Sequence, residues 1–135
     1  MVKQLHGLNI AVKDLDAAIK KYEAILRVPA MPINPSDFAF AGLQGVSFQL
    51  GDININLIFS DNPETAVYKF VESRGEGVFL ISLRVDNLEE DMQDFTASGV
   101  KFISDKPLTY SSGKVNFGHP KSLHGVQIEF IQPDN

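Results

Sequence analysis

No cysteine occurs among the 135 residues. That excludes disulfides, thiolate metal sites and thiol nucleophiles. No apolar run approaches the roughly 18 residues that a membrane-spanning helix needs. Lys and Arg are scarce, 12 against 17 Asp and Glu, for a net charge of -5. With no basic cluster, nucleic acid is not an expected partner. The opening residues, MVKQLHGLNIAVKDL, hold no apolar stretch followed by a small-residue cleavage site, so a cytoplasmic protein is expected. What is present, 44% hydrophobic and 21% charged residues, is the composition of a single globular domain over 1–135. Folding should bury about two-thirds of the unfolded surface of such a chain.

The sequence repeats itself. VKDLDAAIKKY (Val12–Tyr22) and VDNLEEDMQDF (Val85–Phe95) align at an offset of 73 residues. Each opens with a capping residue, Asp14 or Asn87, followed by acids suited to the positive end of a helix. Leu15, Ala18, Ile19 and Tyr22 match Leu88, Met92 and Phe95 at helical spacing, so one face of each helix packs on a core. Gly99 is placed to end the second helix. The same offset lays LHGLNIAV (Leu5–Val12) over VFLISLRV (Val78–Val85), and ININLIF (Ile53–Phe59) over VQIEFIQ (Val126–Gln132). Two β-α-β-β-β modules follow, 1–60 and 76–135, joined by a helical linker within 61–75. Its helix is predicted over Glu64–Ser73 and ends near Gly75. The fold class is α+β, with the modules pairing into a curved mixed sheet that forms a ligand cup.

Strand alternation sorts the side chains into two sets. Leu8, Ile10, Val12, Ile81, Leu83 and Val85, with Ile53, Ile55, Leu57, Val126, Ile128 and Phe130, are uniformly apolar and are expected beneath the helices. Gly7, Asn9, Ala11, Leu80, Ser82, Arg84, Asn54, Asn56, Ile58, Gln127, Glu129 and Ile131 form a mixed, polar set. A ligand pocket or a solvated sheet face both fit such a set.

Three stretches, NIAVKDLDAAIKKYEAIL, KFVESRGEGV with VDNLEEDM, and GHPKSLHGVQIEFIQ, resemble the vicinal oxygen chelate (glyoxalase/bleomycin resistance/dioxygenase) superfamily. They are most similar to its methylmalonyl-CoA epimerase branch, and the likeness covers nearly the whole chain. The resemblance implies a divalent metal held by His, Gln or Glu, His and Glu, from the first and last strands of each module. Those positions here are Gly7, Asn56, Leu80 and Glu129. Glycine and leucine bring no ligand, and asparagine brings only a weak carbonyl oxygen. A catalytic divalent site takes three or more protein N/O ligands, so no metal cofactor is expected. His6 precedes the expected ligand position by one residue, which aims it at the opposite side of the strand. His119 and His124 flank PKSL in the loop before the last strand, at the expected pocket mouth.

The resemblance also implies proton exchange α to a thioester carbonyl, with the metal stabilising the enolate. Losing that cation should cost on the order of three powers of ten in rate. The base glutamate implied for SDFAFAGLQGVSFQL is missing too, since Asp37 is the only acid there. Glu129 is left as the candidate catalytic residue, a carboxylate that Asn56, Asn9 or Arg84 would have to satisfy. An Arg84–Glu129 ion pair is an equally good expectation. Asn9, Asn54, Asn56, Leu80, Ser82, Arg84, Lys121 and Gln127 are the candidate ligand-binding residues. The expected function is a small-molecule binder, or a metal-independent acid–base isomerase or lyase. The alternative is a methylmalonyl-CoA epimerase or a related acyl-CoA isomerase or lyase. The expected partners are an acyl-CoA or polar carbonyl compound and a second copy of the chain in a homodimer.

Overall fold

A computed structural model describes all residues, 1–135. The elements in order are β1 (Val2–Ala11), α1 (Leu15–Leu26), β2 (Met31–Pro32), β3 (Gln44–Leu50), β4 (Ile53–Phe59), α2 (Ala66–Arg74), β5 (Gly77–Val85), α3 (Leu88–Ala97), β6 (Leu108–Tyr110), β7 (Gly113–Gly118) and β8 (Ile128–Pro133). The architecture is the expected α+β one, a β-α-β-β-β module occurring twice. No helix is long and apolar enough to cross a membrane.

The chain divides into two compact units. One comprises Gly7–Phe79; the other comprises Met1–His6 and Leu80–Asn135. In the first, the strand order is β2-β3-β4-β1, with β1 and β4 parallel and the remaining pairs antiparallel. In the second, it is β5-β8-β7-β6, again with one parallel pair, β5 and β8.

Strand register repeats with the sequence. Leu8, Asn9, Ile10 and Ala11 face Ile55, Asn56, Leu57 and Ile58. Seventy-three residues on, Ile81, Ser82, Leu83 and Arg84 face Ile128, Glu129, Phe130 and Ile131. The offset is not kept in between. Ser47 faces Asn56 and Phe117 faces Glu129, so β7 lies only 70 residues beyond β3. The difference is recovered in the connections, because a two-residue turn joins β3 to β4 whereas residues 119–127 join β7 to β8.

The helices start where the capping residues predict. Asp14 accepts from the Ala17 N–H at 3.0 Å and Asn87 from the Glu90 N–H at 3.2 Å. α1 lays Leu15, Ala18, Ile19 and Tyr22 over Val12, Val46, Phe48 and Leu57. α3 lays Leu88, Met92 and Phe95 over Val85 and Phe130 at the equivalent positions. Burying such side chains stabilises by about 1.5–3 kcal/mol each before conformational entropy is counted.

Three details differ from expectation. α2 begins two residues later than predicted, because Thr65 caps it by accepting from the Tyr68 N–H. It ends at Gly75, whose φ of 82° suits glycine. Val67 of α2 is buried with Ala11 and Ile58, joined by Phe38, Leu43, Phe70, Val71 and Phe79. Ala11 and Ile58 had been assigned to the polar set. Here that face is apolar core, because α2 covers it. Ile53 and Val126, placed beneath the helices by alternation, are 36% and 39% exposed. Ile53 abuts the β3–β4 turn and Val126 precedes the start of β8, so neither lies beneath a helix.

Candidate functional site

The mixed face carries different side chains in the equivalent strand rows of the two units. In the Leu80–Asn135 unit, Ser82, Glu129 and Phe117 lie side by side on β5, β8 and β7. Residues directly opposite in paired strands share a face, so the carboxyl sits between a hydroxyl and a phenyl ring. Ser82 is 2% exposed and Phe117 5%. The Ser82 hydroxyl donates to Glu129 Oε1 at 2.6 Å, a short charge-assisted geometry. Burial pushes the Glu129 carboxyl above its ordinary pKa of 4.5, and the Ser82 hydrogen bond opposes this in part. Yet the residue keeps some accessible surface. The carboxyl is therefore largely enclosed by protein while the residue as a whole is half-buried.

The partner of Glu129 is therefore Ser82. Asn56, Asn9 and Arg84, the expected candidates, do not fill that role. Arg84 takes part in none of the ion pairs; these join the N-terminal amine to Asp86 and Asp91, Lys3 to Asp86, and Lys114 to Glu89. Arg84 instead lies near His6, whose pKa falls because it is partly buried and, secondarily, because of the Arg84 charge. Leu80 is 2% exposed, so its side chain belongs to the packed interior more than to an accessible lining.

In the Gly7–Phe79 unit the equivalent row is Asn9, Asn56 and Ser47. Asn56 Nδ2 donates to Asn9 Oδ1 at 2.9 Å. Asn56 Oδ1 is buried without a hydrogen-bond partner. Asn54 lies in the next row but one, opposite Gly7 and Gln49. No carboxylate belongs to these rows.

The loop histidines have structural work to do. His119 Nδ1 accepts from the Lys121 N–H at 3.1 Å, capping the 3-10 turn Pro120–Ser122. His119 itself, Lys121 and His124 are exposed, and His124 adopts a left-handed φ of 57°. Gln127 is half-buried, and its backbone carbonyl accepts from the Ile81 N–H at 3.1 Å.

Residues 6–117 match the profile of the Glyoxalase/Bleomycin resistance protein/Dioxygenase superfamily. The chain belongs to that superfamily. Among solved structures, methylmalonyl-CoA epimerase from Mycobacterium tuberculosis is similar with a TM-score of 0.86 and 27% identity, covering 99% of this chain and 90% of that one. A methylmalonyl-CoA epimerase in complex with methylmalonyl-CoA and NH4+ gives a TM-score of 0.84 at 25% identity, covering 98% and 96%. Uncharacterized protein YqjC of Bacillus subtilis (strain 168) is 29% identical over 133 residues, 98% of this chain and 94% of that protein.

The divalent ion implied by the superfamily pattern meets an unsuitable set of residues in this member. A Cβ at Gly7 would overlap the Asn54 carbonyl oxygen across the β1–β4 pair, so no ligand-bearing residue fits there unless the strands move. Leu80 is apolar and buried. Asn56 offers only a neutral amide oxygen, a weak donor. No group of three or more His, Asp and Glu side chains is arranged to hold a metal. Glu129 is the one strong donor among the four positions, and these residues do not fit the ion.

Proposed function

We propose that this superfamily member binds a small carbonyl compound, of which an acyl thioester is the leading candidate, and acts without a metal through Glu129. The single observation that carries the reading is the environment of that carboxyl. It lies in one strand row between Phe117 and Ser82, is held by one hydroxyl, and has its pKa raised by burial. A carboxylate with a raised pKa is a stronger base than one in water, and more of its conjugate acid is present near neutral pH to return a proton. Glu129 would take a proton from carbon next to the carbonyl and, after exchange with solvent, return one to the same carbon. Ser82 would hold Oε1 and leave Oε2 for the ligand. The acyl-CoA class is supported by the likeness to an epimerase solved with methylmalonyl-CoA.

Deuterium exchange from solvent into methylmalonyl-CoA, with and without added cobalt, tests the proposal. Exchange independent of cobalt and abolished by Glu129→Gln is expected. Exchange that appears only with cobalt, or persists in Glu129→Gln, would restore metal-dependent epimerase chemistry as the better account. Binding of methylmalonyl-CoA with no exchange would leave a binding protein.

A further inference from the structure

The Asn9–Asn56 pair occupies the positions that Ser82 and Glu129 hold in the other unit, in the same register between parallel strands. Both pairs are joined by one side-chain hydrogen bond. They differ in what is left over. The Asn9–Asn56 bond uses Asn56 Nδ2 and Asn9 Oδ1. Asn56 Oδ1 remains buried with no donor, and the Asn9 N–H groups lie outside that bond. An unpaired acceptor removed from water is disfavoured, and no side chain of this protein supplies its donor. The oxygen is therefore matched to a group that comes from elsewhere.

The geometry points to Asn9 and Asn56 as a carboxamide-recognition subsite, in which Asn56 Oδ1 accepts an N–H from the ligand and an Asn9 N–H donates to the ligand's carbonyl oxygen. An amide presents both partners on adjacent atoms. An ester offers only acceptors, and a carboxylate would place negative charge against the bare oxygen. Neighbouring rows suit a neutral polar group of this kind: Ser47 lies opposite Asn56, while Ala11 and Ile58 in the next row but one make an apolar end. The assignment deepens the small-molecule reading and rests on it, adding the class of group that the ligand carries.

The test uses propionamide, propionate and methyl propionate as probes, followed through the Asn9 side-chain amide signals in 1H–15N NMR spectra, which both the parent and the Asn56 variant retain. Saturable shifts with propionamide alone are expected, and they should be lost in Asn56→Leu. Equal or stronger shifts with propionate or methyl propionate, or no response to propionamide at its solubility limit, would overturn the assignment. A second measurement needs no probe. With Asn9→Ala already in place, so that the Asn9–Asn56 hydrogen bond is absent from both proteins compared, adding Asn56→Leu should keep or raise the melting temperature if the oxygen is unpaired. A fall of several degrees would show that the oxygen is already satisfied within the protein, which also overturns it. Methylmalonyl-CoA exchange is measured separately. Loss of the amide response with exchange intact therefore removes the subsite alone, whereas amide binding without exchange removes the Glu129 chemistry alone.

Discussion

At the scale of single residues, Glu129 and Gly7 carry the most information. Burial raises the Glu129 pKa above 4.5, so the folded protein holds this proton more tightly than the unfolded chain does. Its contribution to stability is fully present below the unfolded value and is lost as pH rises through the folded one. Glu129→Gln, which keeps the shape without the charge, should therefore be more stable than the parent at neutral pH. The difference should vanish as pH falls towards 4.5, as read from urea unfolding across a pH series. Gly7 is constrained by space: its missing Cβ would strike the Asn54 carbonyl. Gly7→Ala should lower stability by about 2 kcal/mol, the usual range for overpacking against a rigid neighbour, measured by chemical denaturation.

The elements show how one pattern, used twice, yields two different faces. α1 and α3 begin at equivalent caps and cover equivalent apolar positions. Asn87→Ala removes the acceptor for the Glu90 N–H and should cost about 1 kcal/mol, with the loss visible as earlier thermal unfolding of the α3 region by hydrogen exchange. α2 has no counterpart in the other module. By packing Val67 on Ala11 and Ile58 it turns one end of an otherwise polar face into core. The polar rows are thereby confined to Asn9, Asn54 and Asn56 in one unit and to Ser82 and Glu129 in the other.

For the molecule as a whole, membership in the superfamily is established and the proposed metal-free chemistry is what remains to be measured. Relatives that are similar over nearly the full chain include methylmalonyl-CoA epimerases. In this member, Gly7 and Leu80 offer no side-chain donor atom and Asn56 only an amide oxygen. Elemental analysis of protein purified without chelator should show less than stoichiometric divalent metal, and EDTA should leave the melting temperature unchanged. A tightly held stoichiometric ion would contradict the proposed metal-free chemistry.

Much of this was legible in the sequence. The 73-residue offset identified the two modules, the capping residues Asp14 and Asn87 and the helix faces. These follow from local periodicity and spacing, which a strand or helix must satisfy whatever lies next to it. The offset even contained the missed pairing, since Ser82 stands to Glu129 as Asn9 stands to Asn56. Only the tertiary structure made Ser82 the partner of the carboxyl, left Asn56 Oδ1 without a donor, placed α2 over Ala11 and Ile58, and exposed Ile53 and Val126. Each of these outcomes depends on which atoms distant in sequence come within hydrogen-bond or van der Waals reach. Periodicity assigns a side chain to a face, but strand register and packing decide what it meets there.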